Sequence, residues 1–298
     1  MLSYESFQSL VDAATSAGKK ISEVVLADQA AAMHRTEEDV FQEMEASFDV
    51  MIASTHTGSD AALRSTSGLT GGEGAALLRY ASEQNGGVGG TFFTHVIGRA
   101  MCTSNCNAAM GRIVATPTAG SCGILPGVLV TLYEDQNVPK RDIVMSIFTA
   151  AALGMVIARN ASIAGAEGGC QAECGSASGM AAAALVELQG GTPQQCVDAL
   201  GMSLINQLGL VCDPVAGLVE IPCVKRNASG AAIALTSASM ALAGIPLYIP
   251  ADECLSAMKS VGDTMSSALK ETALGGLAAT KTGKALRKQV YGEEQPEI

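Results

Sequence analysis

Small side chains set the terms on which this chain can fold. Its 298 residues include 33 glycines, six Phe, five Tyr and no Trp, yet 48% of them are hydrophobic. With Ala and Gly abundant and large rings scarce, helices bury their surface by close approach. Apolar periodicity and cap signals predict helices over residues 3–17, 21–35, 36–52, 142–159, 176–188, 193–208, 228–243 and 252–274. Thr36 with Asp39 reads as a capping box, and Thr192 as an N-cap before Pro193 at the first helical position. Gly190-Gly191 stops the helix before it. Extended pieces such as 113–116 and 218–221 are too few for a doubly wound sheet and do not alternate with helices. The expected fold is all-α: one compact helical domain over 1–298, with an N-terminal helical segment (1–50) and a polar tail (284–298) that frays.

Charge narrows the function. Eighteen Lys and Arg against 29 Asp and Glu leave a net charge of −11, which disfavours nucleic acid as a partner. Met1-Leu2-Ser3-Tyr4-Glu5-Ser6 has neither the basic start nor the apolar stretch of a secretory signal, so a cytoplasmic protein is expected. The apolar run 231–249 is long enough to raise a membrane span. Thr236, Ser237 and Ser239 dilute it and Gly244-Ile245-Pro246 breaks it, so a buried helix of a soluble protein is expected instead. Nine cysteines (102, 106, 122, 170, 174, 196, 212, 223 and 254) in such a chain read as metal ligands or small buried groups, not as disulfides.

Glycine-rich loops lie between the helices at 67–72, 84–90, 116–123 and 165–170, where backbone N–H groups can approach a ligand. Cys170 lies in the last of these, and Cys212 and Cys223 bound a Pro-punctuated loop. Three thiolates can hold a cubane cluster and leave one of its four irons open to substrate as a Lewis acid. The spacing of these cysteines matches no usual ferredoxin or zinc-finger pattern, so a cluster and buried structural cysteines both stay open. Cys102 with Cys106 and Cys170 with Cys174 stand at i, i+4 and could share a helix face for zinc, but few histidines exist to complete a site. Cys196 and Cys254 fall within predicted helices and read as packing.

Of His34, His56 and His95, all distant in sequence from the cysteine loops, His56 is the best acid–base candidate. If residues 124–133 are helical, the 116–123 loop forms a carboxylate pocket at that helix's N-terminus, with the Thr118 and Ser121 hydroxyls. The 67–72 loop lacks the lysine of a phosphate-binding P-loop.

Long motifs then carry a resemblance. Ser67-Gly-Leu-Thr-Gly-Gly72, Ala115-Thr-Pro-Thr-Ala-Gly120, Gly165-Ala-Glu-Gly-Gly-Cys-Gln171, the run from Gly209 to Cys223, Lys225-Arg-Asn227 and Lys270-Glu-Thr-Ala-Leu-Gly-Gly276 occur in order. Through them nearly the whole chain resembles the α (catalytic) chain of two-subunit, iron–sulfur-dependent bacterial L-serine dehydratases, also called L-serine ammonia-lyases. The resemblance implies a helical catalytic domain and a 4Fe–4S cluster on Cys170, Cys212 and Cys223, with no pyridoxal phosphate. It implies a hetero-oligomer, because single-chain relatives carry an additional α/β domain that a separate β chain would supply here. Some of those relatives end in a cysteine that reaches the cluster, whereas this sequence ends Gln295-Pro-Glu-Ile298.

On that reading, loss of the serine hydroxyl with the α-proton yields aminoacrylate, then pyruvate and ammonia. The expected carboxylate site is Thr118, Gly120 and Ser121 with Ser67 and Thr70. The candidate bases are His56, Glu167, Glu173 or a residue of the β chain. The alternatives are a lyase on another small amino acid, such as a cysteine desulfidase, and a non-catalytic cysteine-based metal or redox sensor with exposed thiols.

Overall fold

In a computed structural model that describes residues 4–292, the chain is built of helices and turns, with no β-strand among the described residues. Thirteen α-helices follow in order among those residues. They are α1 (Phe7–Ala17), α2 (Ile21–Met33), α3 (Glu37–Gly58), α4 (Glu73–Glu83), α5 (Gly90–Ala108), α6 (Ile124–Gln136) and α7 (Lys140–Asn160). The second half holds α8 (Gly165–Gly168), α9 (Ser176–Leu188), α10 (Pro193–Ile205), α11 (Cys223–Leu242), α12 (Ala251–Thr264) and α13 (Lys281–Tyr291). The all-α expectation holds, and both cap predictions are realised: Thr36 and Thr192 each accept from the backbone three residues on, in full capping boxes.

The centre is α9, Ser176-Ala-Ser-Gly-Met-Ala-Ala-Ala-Ala-Leu-Val-Glu-Leu188, buried at nearly every position and packed by α7, α10 and α11. Its four consecutive alanines admit neighbours on all sides, the close approach that the composition implies. The pair α4 and α5 shows the same device. A Cβ on Gly74 would fall 2.5 Å from Cys102 Sγ, and one on Gly98 2.9 Å from Leu78 Cδ2. By length and composition one helix among the described residues, α7, could cross a membrane, but 67% of its apolar window is buried within the fold.

The structure also corrects the sequence reading. Helices α4, α5, α8 and α13 were not expected, α8 falling in the 165–170 stretch read as a loop. The predicted tail is helical from Lys281 to Tyr291 behind a Thr280 cap, while residues 293–298 lie outside the described residues, as does Ser3 of the first predicted helix. Helix α11 begins at Cys223, five residues earlier than predicted, and ends at Leu242, ahead of Gly244 with φ 76°, so the 231–249 run is not one helix. Helix α12 stops at Thr264 instead of 274. Beyond it the backbone pairs with another loop: Cys212 N–H donates to Leu269 O at 2.8 Å and Glu271 N–H to Cys212 O at 2.8 Å.

Candidate functional site

Four hydrogen bonds bring the cysteine loops together. Gly169, with φ 75°, turns the chain so that Cys170 heads a π-helical turn, Gln171–Gly175. That turn is fastened to the next loop by Gln171 N–H donating to Leu210 O (2.9 Å) and Gly209 N–H to Gln171 Oε1 (2.9 Å), which carries Cys212 toward Cys170. Arg226 on α11 then grips the Cys212 loop on both sides, donating to Val211 O at 2.7 Å and to the buried Asp213 carboxylate at 2.8 Å. Because Arg226 sits three residues after Cys223, the grip draws the third cysteine in as well.

The three thiols are buried and respond to one another. Burial, then the charges of Glu173 and Cys170, push Cys212 up, and burial followed by Cys170 does the same to Cys223. Cys170 goes the other way: a hydrogen bond with Cys174, whose sulfur is 3.4 Å away, outweighs burial, with help from the Arg226 charge. Among the described residues no three His, Cys, Asp or Glu side chains are grouped to hold a metal ion. A cubane spreads its ligands over separate irons, so its thiolates stand farther apart than the ligands of one ion, and a trio of buried sulfurs is the donor chemistry it needs.

Glu173 joins this trio. It is 9% exposed, accepts a hydrogen bond from Thr118 Oγ1 at 2.8 Å and lies 4.0 Å from Cys212 Sγ. Two glycines make room for it: a Cβ on Gly165 would fall 2.7 Å from Glu173 Oε2 and 2.8 Å from Cys212 Sγ, and one on Gly120 3.1 Å from Glu173 Oε1. Burial pushes the carboxyl above its ordinary value; Thr118 is the largest opposing influence and does not cancel it. Ser121, fully buried, stands 3.3 Å from Thr118 Oγ1 at the start of α6, which is helical as the pocket required.

The other sequence candidates are elsewhere or already engaged. His56, with 62% of its side chain exposed, pairs at 2.6 Å with Glu134 in the last turn of α6, about 15 Å along that helix from its first residue. Glu167 is exposed and accepts from Ser162 Oγ at 2.7 Å. Ser67 and Thr70 both spend their hydroxyl protons on one oxygen of buried Glu220, at 2.9 and 2.8 Å, so a second carboxylate there would meet the charge of the first. Arg226, Asn227 and Glu220 had been read only as parts of motifs. The i+3 and i+4 spacing of Arg226 and Asn227 from Cys223 was the signal for the first two, hidden while the helix was placed too late. A sensor would expose its thiols, but all nine cysteines are buried, and burial lifts Cys102 and Cys122 to about 12.

Buried thiols and a buried carboxyl, held by loops and helix ends of an all-α scaffold, mark this part of the molecule as the candidate site. The pattern of the serine dehydratase alpha chain matches residues 16–278. The chain is 50% identical over 272 residues to the probable L-serine dehydratase alpha chain of Bacillus subtilis, covering 91% of this chain and 90% of that one. It is 45% identical over 284 residues to the L-serine dehydratase alpha chain of Peptoniphilus asaccharolyticus, with 95% and 97% covered. The L-serine dehydratase of Streptomyces coelicolor matches at 47% over 183 residues, 60% of this chain but 40% of that longer protein. The chain belongs to the serine dehydratase alpha-chain family.

Proposed function

We propose that this chain is the catalytic α chain of a cytoplasmic L-serine ammonia-lyase, converting L-serine to pyruvate and ammonia together with a β chain. The observation that carries the reading is the approach of buried Glu173 to buried Cys212, 4.0 Å apart, with Cys170 and Cys223 buried within electrostatic reach of both. The cysteines suit a 4Fe–4S cluster, which when bound supplies a Lewis acid for the substrate hydroxyl.

The chain's own groups do the rest. The Thr118–Ser121 loop, at the N-terminal end of α6, holds the serine carboxylate. Glu173, its proton affinity raised by burial, takes the α-proton. The electron pair of the broken C–H bond forms the Cα–Cβ double bond as the Cβ–O bond breaks, and the proton lifted from Cα balances the departing hydroxide, which leaves as water. Tautomerisation of the aminoacrylate and hydrolysis then give pyruvate and ammonia. Of the three bases weighed in this chain, Glu173 alone is buried beside the thiols, so His56 and Glu167 are not assigned that role.

Anaerobic reconstitution with iron and sulfide tests the assignment. The expected results are cluster absorbance, about four irons per chain, and pyruvate formation from L-serine when a β chain is added. Full activity of colourless, iron-free protein would overturn it, and faster turnover of L-cysteine than L-serine would move the substrate.

A further inference from the structure

One side chain ties the cysteine helix to the substrate loop, and the chemistry of serine makes no use of it. Asn227 is fully buried one turn into α11. Its Nδ2 donates to Gly120 O at 2.8 Å and to Cys223 O at 2.9 Å, and its Oδ1 accepts from Gly123 N–H at 2.8 Å. A longer bond of 3.4 Å reaches Ser104 Oγ. A primary amide places donors and an acceptor in one plane; Asp keeps the acceptors, loses the donors and would turn its charge on two carbonyl oxygens.

The two loop residues it holds cannot be held by side chains of their own. Gly120 is where a Cβ would crowd Glu173, and a Cβ on Gly123 would fall 2.1 Å from Ala100 O. The clamp on both ends of the 120–123 segment therefore comes from outside it, and it comes from the helix that begins with Cys223.

We propose that Asn227 is a positioning residue that fixes the distance between the Cys223 end of the thiol trio and the loop that receives the substrate carboxylate. The proposal rests on the reading of the chain as an L-serine ammonia-lyase. A substrate gripped at its carboxylate by the loop and at its hydroxyl beside the thiols spans the two parts that Asn227 joins. Loosening the joint weakens substrate binding before it disturbs the cysteines, which are held separately by Arg226 and the Gln171 ties.

The test uses Asn227→Asp and Asn227→Ser in the reconstituted α–β complex, with amide exchange at Gly123 measured on the α chain alone. Both variants are expected to take up iron and sulfide like the parent, while KM for L-serine rises about tenfold or more and kcat falls by less. Exchange at Gly123 is expected to accelerate by about tenfold. An unchanged KM in a fully loaded variant, or a loss of iron that accounts for all the lost activity, overturns the proposal. If Asn227→Asp does not fold, Asn227→Ser, which removes the clamp without adding charge, decides alone. Should the loaded parent complex make no pyruvate, the serine reading fails, and the Gly123 exchange rate still judges the clamp: unchanged exchange rejects it and faster exchange supports it.

Discussion

At the C-terminal end of α6, Glu134 and Asp135 gather Arg99, His56 and His95 into a network partly open to water, with Arg99 2.8 Å from each carboxylate. Near the opposite end, Glu173 lies buried beneath Thr118 and beside Cys212, with a hydroxyl as its nearest polar partner. The same side-chain type meets opposite physics. Burial raises the carboxyl of Asp135, but hydrogen bonds from Arg99 and His95 outweigh it and hold the group below its usual range. Burial of Glu173 is not outweighed, so it keeps a high affinity for a proton. An ion pair stores a carboxylate as a fixed anion, and burial that no ion pair offsets leaves one with a raised affinity for a proton. The histidine that looked most like chemistry in the sequence belongs to the first kind of site.

The comparison breaks most directly at the two candidate bases. Glu173→Gln preserves shape and removes the base, so turnover of the reconstituted complex should fall about 10²–10⁴-fold with iron content intact. His56→Ala removes a mostly exposed partner of Glu134 and should leave pyruvate formation within about twofold. Equal losses in the two variants would erase the distinction drawn between the two ends of α6.

That distinction also marks how far the sequence could be read. The all-α fold was legible because eight of the helices carry their own apolar periodicity and caps. Helices α4 and α5 were missed because glycines at 74 and 98, which let them touch, weaken the helix signal. The candidate cysteines stood out through their Gly and Pro surroundings and the family-like motifs around them. His56 could not be judged without Glu134, 78 residues away, nor Ser67 and Thr70 without Glu220, about 150 away. Local pattern reports which groups are available, and tertiary pairing decides which of them are already spent.

A smaller intervention sharpens the same contrast without touching an ionisable group. Gly165→Ala would place a methyl 2.7 Å from Glu173 Oε2 and 2.8 Å from Cys212 Sγ, closer than packed atoms tolerate. Overpacking of this kind costs about 1–3 kcal/mol. The expected outcome is a lower melting temperature together with reduced iron uptake on anaerobic reconstitution, since the crowded atoms include a candidate cluster ligand. Parental melting and iron uptake would mean that the carboxylate and sulfur yield freely, and the tight seat inferred for Glu173 would be wrong.

The weakest expected effect lies at the ion-paired end and carries a sign in pH. Asp135 has its folded-state pKa below the ordinary 3.8, so between those two values the unfolded chain binds more protons than the folded one. Its contribution is therefore complete above pH 3.8 and disappears as pH falls through the lower folded value. With about a quarter of the side chain exposed, screening limits the contribution to about 1 kcal/mol or less. Asp135→Asn removes the charge and the titration together. Its stability deficit, followed by chemical denaturation, should shrink as pH falls below about 4 and diminish in high salt. A deficit that grows as pH falls below about 4 would show that Asp135 acts by something other than its pairing with Arg99 and His95.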